Sequence, residues 1–397
     1  MYSNTGSAGG ETARPRGASG PRRASARSSA RFLPKRALSS ALWAAVSLCG
    51  CASREPQIPA AAPAPALGRA SIEQSLPRTV TDRAGWGADI YAAFTALKIA
   101  PTHENACAVI AVIEQESGFQ VDPVIPNLAA IAWREIDRRA EHAGVPASVV
   151  HEVLQLNSSN GKSYSERIDH ARTEKDLSDT FEDFIGSVPL GRTLFASWNP
   201  IRTRGPMQVN VAFADEFAAA HTYPYPIKES IGDELFTRRG SIYFGTAHLL
   251  AYTAPYDRYL YRFADFNAGQ FASRNAAFQN AVSIASGMTV VPDGALLPHD
   301  RDAPAGGTEL ATRTLAKGLK LGEEAIRRAL EQGRTQGFER TELYQGVFAL
   351  AERRAGRALP RAMLPRIDLE GPKLKRKLTT EWYAHRVDSR FEGCLRE

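Results

Sequence analysis

The chain reads as an all-α protein, and three observations predict it. Apolar residues recur at helical spacing in one segment after another from Trp86 to Phe391. No stretch keeps up period-2 alternation between turn signals, so no sizeable sheet is expected. Ala106 to Ile113 is a run of eight apolar residues that leads into Glu114, Gln115 and Glu116 before Ser117 and Gly118 stop it. A helix that is apolar on every side is buried on every side. Gly118 is the expected terminator, because glycine enters the left-handed region without steric cost. Glu116 is therefore expected where a buried helix opens to a surface. A carboxyl in that setting is partly desolvated, which disfavours its charged form and suits a general acid. Glu114, two residues earlier, lies about 200° away round the helix and faces elsewhere.

The other elements follow in order. Trp86 to Ala100 is an apolar-periodic helix closed by Pro101, and the acid-bearing helix comes directly after it. Leu128 to Ala143 is helical and ends at Gly144-Val145-Pro146. Ser148 to Leu156 is a short helix before the loop Asn157 to Gly161. Ser165 to Phe184 is polar and reads as one surface helix. Val211 to Ala220, Arg238 to Thr253, Tyr256 to Phe266 and Phe271 to Ala285 follow, with Tyr223-Pro224-Tyr225-Pro226 as a rigid turn. Residues 287–306 form a loop with three prolines. Beyond it, Glu323 to Gln332, Glu342 to Arg354 and Lys375 to Phe391 are the clearest helices of a more charged segment, residues 307–397.

Charge is distributed unevenly. The 397 residues carry a formal charge of +6, but residues 1–50 hold eight Lys or Arg and one acid. From Cys51 onward 41 basic residues face 42 acidic ones, so the basic balance gives no reason to expect a nucleic-acid partner. Arg31, Lys35 and Arg36 precede the short apolar stretch Ala37 to Leu48, which is too short to span a bilayer. Leu48-Cys49-Gly50-Cys51 resembles the lipobox of bacterial lipoprotein signals. That resemblance implies a signal peptide over residues 1–50 and lipidation of Cys51. It implies a mature chain tied by lipid to the outer membrane and facing the periplasm. Residues 51–70, rich in Ala and Pro, read as a tether. In an oxidising compartment Cys107 and Cys394 remain as an even pair. They are either two separate thiols, with Cys107 a small buried hydrophobe, or a disulfide from the C-terminus to the central helix.

No His-x-x-x-His or Cys-x-x-Cys pair occurs, no phosphate-binding glycine loop and no Gly-x-Ser-x-Gly elbow. The expectation is accordingly no metal and no cofactor, with carboxylate chemistry the best candidate. Glu116-Ser117-Gly118-Phe119, Gly205-Pro206-Met207-Gln208 and Phe266-Asn267-Ala268-Gly269 occur in that order. Together they resemble the lytic transglycosylase and goose-type lysozyme superfamily, whose pattern is Glu-Ser, then Gly-Leu-Met-Gln, then Tyr-Asn-Ala-Gly. The likeness covers about residues 86–286. Pro206 replaces the usual Leu, Phe266 replaces the usual Tyr, and about 85 residues separate the first two motifs.

The resemblance implies a lysozyme-like domain over residues 71–306, with an insert at about 127–204 and a C-terminal helical extension over 307–397. It implies that Glu116 is the general acid/base, that Ser117, Met207, Gln208, Phe266 and Asn267 contact substrate, and that the Gly205 motif opens a helix. The implied partner is the peptidoglycan glycan strand, cut at the MurNAc–GlcNAc β-1,4 bond. The substrate's own 6-hydroxyl is the nucleophile, so a second carboxylate is not required. The alternatives are hydrolysis by water in the goose-lysozyme manner, and a non-catalytic peptidoglycan-binding or scaffold lipoprotein. Asp265 is a further carboxylate within reach of the third motif. Trp133 and Trp198 in the insert are either core residues or sugar-stacking ones.

Overall fold

Thr102 starts the central helix by accepting the Asn105 backbone N–H on its side chain. The helix, α3 (His103–Glu116), is buried at every position from Ala106 to Ile113, as a run without a polar face requires. It ends on two consecutive left-handed residues, Gly118 at φ 58° and Phe119 at φ 64°. The strained conformation at Phe119 is held by its ring, which packs edge-on against Trp86 with centroids 5.2 Å apart.

A computed structural model describes residues 66–189, 199–298, 303–369 and 376–396 of the chain. The signal sequence expected over residues 1–50, Cys51 with its expected lipidation, most of the expected tether and Trp198 lie outside them. The fold is mainly α. Before α3 come α1 (Arg69–Gln74) and α2 (Arg83–Leu97). After it the insert supplies α4 (Leu128–His142), α5 (Ala147–Val153), α6 (Tyr164–Asp169) and α7 (Glu174–Ser187). Then follow α8 (Val211–Ala220), α9 (Ile231–Glu234), α10 (Arg238–Leu250), α11 (Tyr259–Ala268) and α12 (Ala272–Ser286). The last part holds α13 (Gly307–Arg313), α14 (Ala316–Leu319), α15 (Glu323–Glu331), α16 (Glu342–Ala355) and α17 (Thr380–Cys394). Strand among the described residues is confined to two antiparallel pairs of two-residue strands, Thr203–Arg204 with Val209–Asn210 and Asp368–Leu369 with Leu378–Thr379.

Two expectations about elements are corrected. The segment read as one surface helix, Ser165 to Phe184, is two helices. Thr173 and Asp176 form a capping box that starts α7 afresh, and α7 buries Leu177 and Ile185. The motif Gly205-Pro206-Met207-Gln208 does not open a helix. It is the turn between the paired strands at 203–204 and 209–210, closed by the Gln208 N–H donating to the Gly205 carbonyl at 2.9 Å. Pro206 takes the second turn position, which its fixed φ suits. The helix starts only at Val211, capped by Asn210. Gly205 has φ 73°, and a Cβ there would lie 1.9 Å from the Leu235 carbonyl oxygen, so no other residue fits.

One core surrounds α3 and gathers α2, α10, α11 and the last helix, α17, through Tyr383, Ala384, Val387 and Phe391. A second joins α12 to α13, α15 and α16 around Phe278, Phe338 and Phe348. Read from sequence as part of an extension, α17 instead packs on both α3 and α11. Asp265 knots α11 to α12. It accepts hydrogen bonds from the Tyr252 hydroxyl (2.9 Å), the Tyr256 hydroxyl (2.7 Å) and the backbone N–H groups of Phe271 (2.9 Å) and Ser273 (2.6 Å). Fully buried and saturated in this way, it is a structural carboxylate and not a second acid in a cleft.

Burial of His248 between Phe213 and Phe266 lowers its pKa from 6.5 to about 4, so the folded imidazole is neutral. The unfolded chain takes up that proton below pH 6.5 and the folded chain does not until about pH 4. Stability from this residue is present above pH 6.5 and lost as the pH falls. Asp265 works in the opposite sense, since burial raises its pKa to about 6. It is common to wild type and variant, and cancels in their comparison. Relative to His248→Asn, the wild type is expected to lose about 3 kcal/mol of unfolding free energy between pH 6.5 and pH 4 in urea titrations. A difference that stays constant over that range would contradict a neutral buried imidazole.

Candidate functional site

Glu116 is the last residue of α3 and is half-buried. Its Oε1 accepts a hydrogen bond from the Tyr383 hydroxyl at 2.5 Å. Tyr383 comes from α17, 267 residues away in sequence, and is itself buried. Burial pushes the phenol pKa well above 10, and the neighbouring Glu116 charge and hydrogen bond push it the same way. Tyr383 therefore keeps its proton at any ordinary pH and acts as a fixed donor that orients the carboxyl.

The same helix face holds a second motif residue. Thr380 stands three residues before Tyr383, so the two side chains project from one face of α17. The Thr380 hydroxyl donates to Asn267 Oδ1 at 2.7 Å. Glu116 and Asn267, on different helices, are thus both tied to one face of the last helix. The register is pinned at the other end. Cys107, on α3, and Cys394, the last residue of α17, form a disulfide with Cα atoms 5.6 Å apart. Near it Tyr259 donates to Asn105 Oδ1 at 2.8 Å and packs on Phe391. Because Cys107 meets Cys394 while Glu116 meets Tyr383, α17 runs antiparallel to α3. Glu114, expected to face elsewhere, also reaches α17 and pairs there with Arg390 at 3.5 Å.

The Gln208 carboxamide is held on a different support. Its Nε2 donates to Glu174 Oε2 at 3.0 Å and to the Gly205 carbonyl at 3.2 Å, and its Oε1 accepts from the Thr203 hydroxyl at 2.9 Å. Glu174 is the buried first residue of α7. α7 is fastened to the same hairpin by Arg204, whose guanidinium donates to Glu182 at 2.9 Å, and to the segment leading into the hairpin by Asn199, which donates to Ser178 at 3.0 Å.

Three residues read as substrate contacts are placed otherwise. Met207 is fully buried against Gly245, where a Cβ would meet its sulfur at 2.4 Å, and its N–H donates to Ser241. It packs the core beneath the hairpin. Phe266 is buried in the central core beside His248. Ser117 turns its hydroxyl back onto the Ile113 carbonyl at 3.1 Å, which caps the helix end. Trp133 packs within the insert, its N–H donating to Asp169 at 2.7 Å and its ring against His151. His103, Cys107 and Cys394 have potential ligand atoms within 4.8 Å of one another, but the two sulfurs are bonded to each other and are not available as thiolates.

Tyr383, Thr380 and Glu174 are the site residues that sequence reasoning missed. One signal was available for Tyr383. Once Cys107 and Cys394 are joined and the helices run antiparallel, the residue about 11 back from Cys394 lies near the end of α3, about 15 Å along both axes.

A family model described as "Protein of unknown function (DUF1615)" matches residues 79–397, a span that includes both Glu116 and Tyr383. The "Uncharacterized protein YaiW" of Escherichia coli (strain K12) is 51% identical over 357 residues, covering 90% of this chain and 97% of its own length. No solved structure matches the chain.

Tyr383→Phe keeps the ring and removes only the donor to Glu116. Urea unfolding is expected to register a loss of about 1–3 kcal/mol, the range for stripping a partner from a shielded polar group. A variant as stable as the wild type would mean that the hydrogen bond is not made in solution.

Proposed function

The chain belongs to the family described as "Protein of unknown function (DUF1615)", and we propose that it is a peptidoglycan-cleaving lytic transglycosylase. The observation that carries the reading is Glu116 itself. It sits at the mouth of a helix buried along its length, with its carboxyl oriented by a phenol that does not ionise. Asn267, the residue expected on the sugar side, is held by the same helix face. The order of the three motifs supplies the substrate class.

In the proposed reaction Glu116, as acid, gives its proton to the glycosidic oxygen between MurNAc and GlcNAc as the bond to the MurNAc anomeric carbon breaks. As base, it then takes the proton of the MurNAc 6-hydroxyl. That oxygen bonds to the same anomeric carbon and closes a 1,6-anhydro ring, which returns Glu116 to its starting state. Tyr383 holds the carboxyl in one orientation through both steps.

The proposal includes a lipid anchor at Cys51 that places the domain on the periplasmic side of the outer membrane. The Cys107–Cys394 disulfide supports export into an oxidising compartment. Among the described residues no helix is long and apolar enough to cross a membrane.

Purified protein lacking the lipidated cysteine, incubated with sacculi, is expected to release muropeptides with anhydro ends by mass spectrometry. Glu116→Gln is expected to lower release roughly 100- to 10,000-fold, the usual contribution of a general acid/base. Reducing ends would mark water as the nucleophile, and sacculi bound but left intact would end the enzymatic reading.

A further inference from the structure

Gln208 has four hydrogen-bonding positions, two donors on Nε2 and two lone pairs on Oε1. Both donors are spent, one on Glu174 and one on the Gly205 carbonyl, and one lone pair is taken by Thr203. The orientation of the amide follows from its partners. Nε2 gives its N–H to a Glu174 carboxyl oxygen at 3.0 Å, and Oε1 is turned to the Thr203 hydroxyl at 2.9 Å. The capacity left to this half-buried side chain is one acceptor position.

The backbone reinforces that orientation. Gln208 sits at φ 48° at the end of a turn whose first residue can only be glycine. Glu174 cannot drift, because it begins α7 beside the capping residue Thr173, and α7 is bolted to the hairpin and the segment leading into it through Glu182, Arg204, Asn199 and Ser178.

We propose that Glu174, supplied by the insert, is a positioning residue that holds Gln208 as a hydrogen-bond acceptor for a donor group of the glycan, a sugar hydroxyl or acetamido N–H. This rests on the reading of the chain as a peptidoglycan-binding enzyme and gives the insert a part in it. The site then selects a donor at this position and disfavours an ether or carboxylate oxygen, which would face Oε1 without a proton between them.

The test relocates the charge. In a Glu116→Gln background, where bound strands are not consumed, soluble peptide-free glycan strands are titrated against Gln208→Glu, Glu174→Met and the exchange Glu174→Gln/Gln208→Glu. Gln208→Glu puts two carboxylates together, and Glu174→Met lets the amide rotate. Each is expected to weaken binding about tenfold, the equivalent of one hydrogen bond. The exchange restores a donor at 174 and an acceptor at 208, and is expected to bind within about threefold of the background. An exchange variant that melts at the same temperature yet binds as poorly as Gln208→Glu overturns the proposal, as does Gln208→Glu binding normally. If Gln208→Glu does not fold, Glu174→Gln against Glu174→Met decides, since only the former keeps an acceptor for Nε2. Equal binding by those two overturns the proposal.

Cleavage of sacculi with Glu116 intact is scored in parallel. Glycan bound as predicted but never cut removes the enzymatic reading and leaves Gln208 as an acceptor. Normal cleavage that Gln208→Glu leaves untouched removes the present proposal alone.

Discussion

The antiparallel contact between α17 and α3 is the constraint on which the rest of the structure depends. Nothing about α3 permits a solvent-facing side over Ala106 to Ile113, so it must be covered all round. The chain closes that cover with its own last helix, which lays Ala384, Val387 and Phe391 against the central core. The disulfide fixes one end of the pairing and Tyr383 on Glu116 completes the other. With both ends held, α17 cannot slide by a turn without breaking Thr380 from Asn267 as well. A carboxyl at the end of a buried helix is thereby given one orientation by residues that lie far outside its own motif.

The insert meets the site by different physics. Its apolar clusters are small, one around Leu128 and Leu177 that takes in Phe236 from outside the insert, the other around Tyr164 and Ile168. Its attachment to the hairpin is polar, with Arg204 buried between Glu182 and the ring of Phe236. Buried polar links contribute less net stability than apolar packing of the same size, but they tolerate only one geometry. A segment whose role is to aim the Gln208 amide is well served by such a link.

Helices were largely legible in the sequence because each is a local pattern of period 3.6 closed by a local signal. Val211 to Ala220 coincides with its expected span, and α10, α12 and α16 differ by a residue or a few at their ends. The break at Thr173 was missed because so polar a segment has no apolar period whose interruption would mark it, while a capping box decides the matter. Legibility fell where two distant segments decide a residue's role. Asp265 looks like any helix-end carboxylate until Tyr252, Tyr256 and the start of α12 close on it. Met207 and Phe266 sit in motif positions beside polar neighbours, yet the notch at Gly245 and the ring of His248 draw them inward. The place of Glu116 at the end of a buried helix was legible from its local setting, whereas its partner Tyr383 required a tertiary contact across most of the chain. The two cysteines were the only sequence trace of that contact.

The most direct test of the account is to compare sacculus cleavage by the oxidised protein with that of protein whose Cys107 and Cys394 have been reduced and alkylated, while following hydrogen exchange of the α17 amides. If α17 holds Glu116 competent, the alkylated protein exchanges faster over Thr380–Cys394 and releases fewer anhydro muropeptides in step. Exchange that rises over α17 while cleavage continues unchanged would contradict the dependence of Glu116 on the last helix.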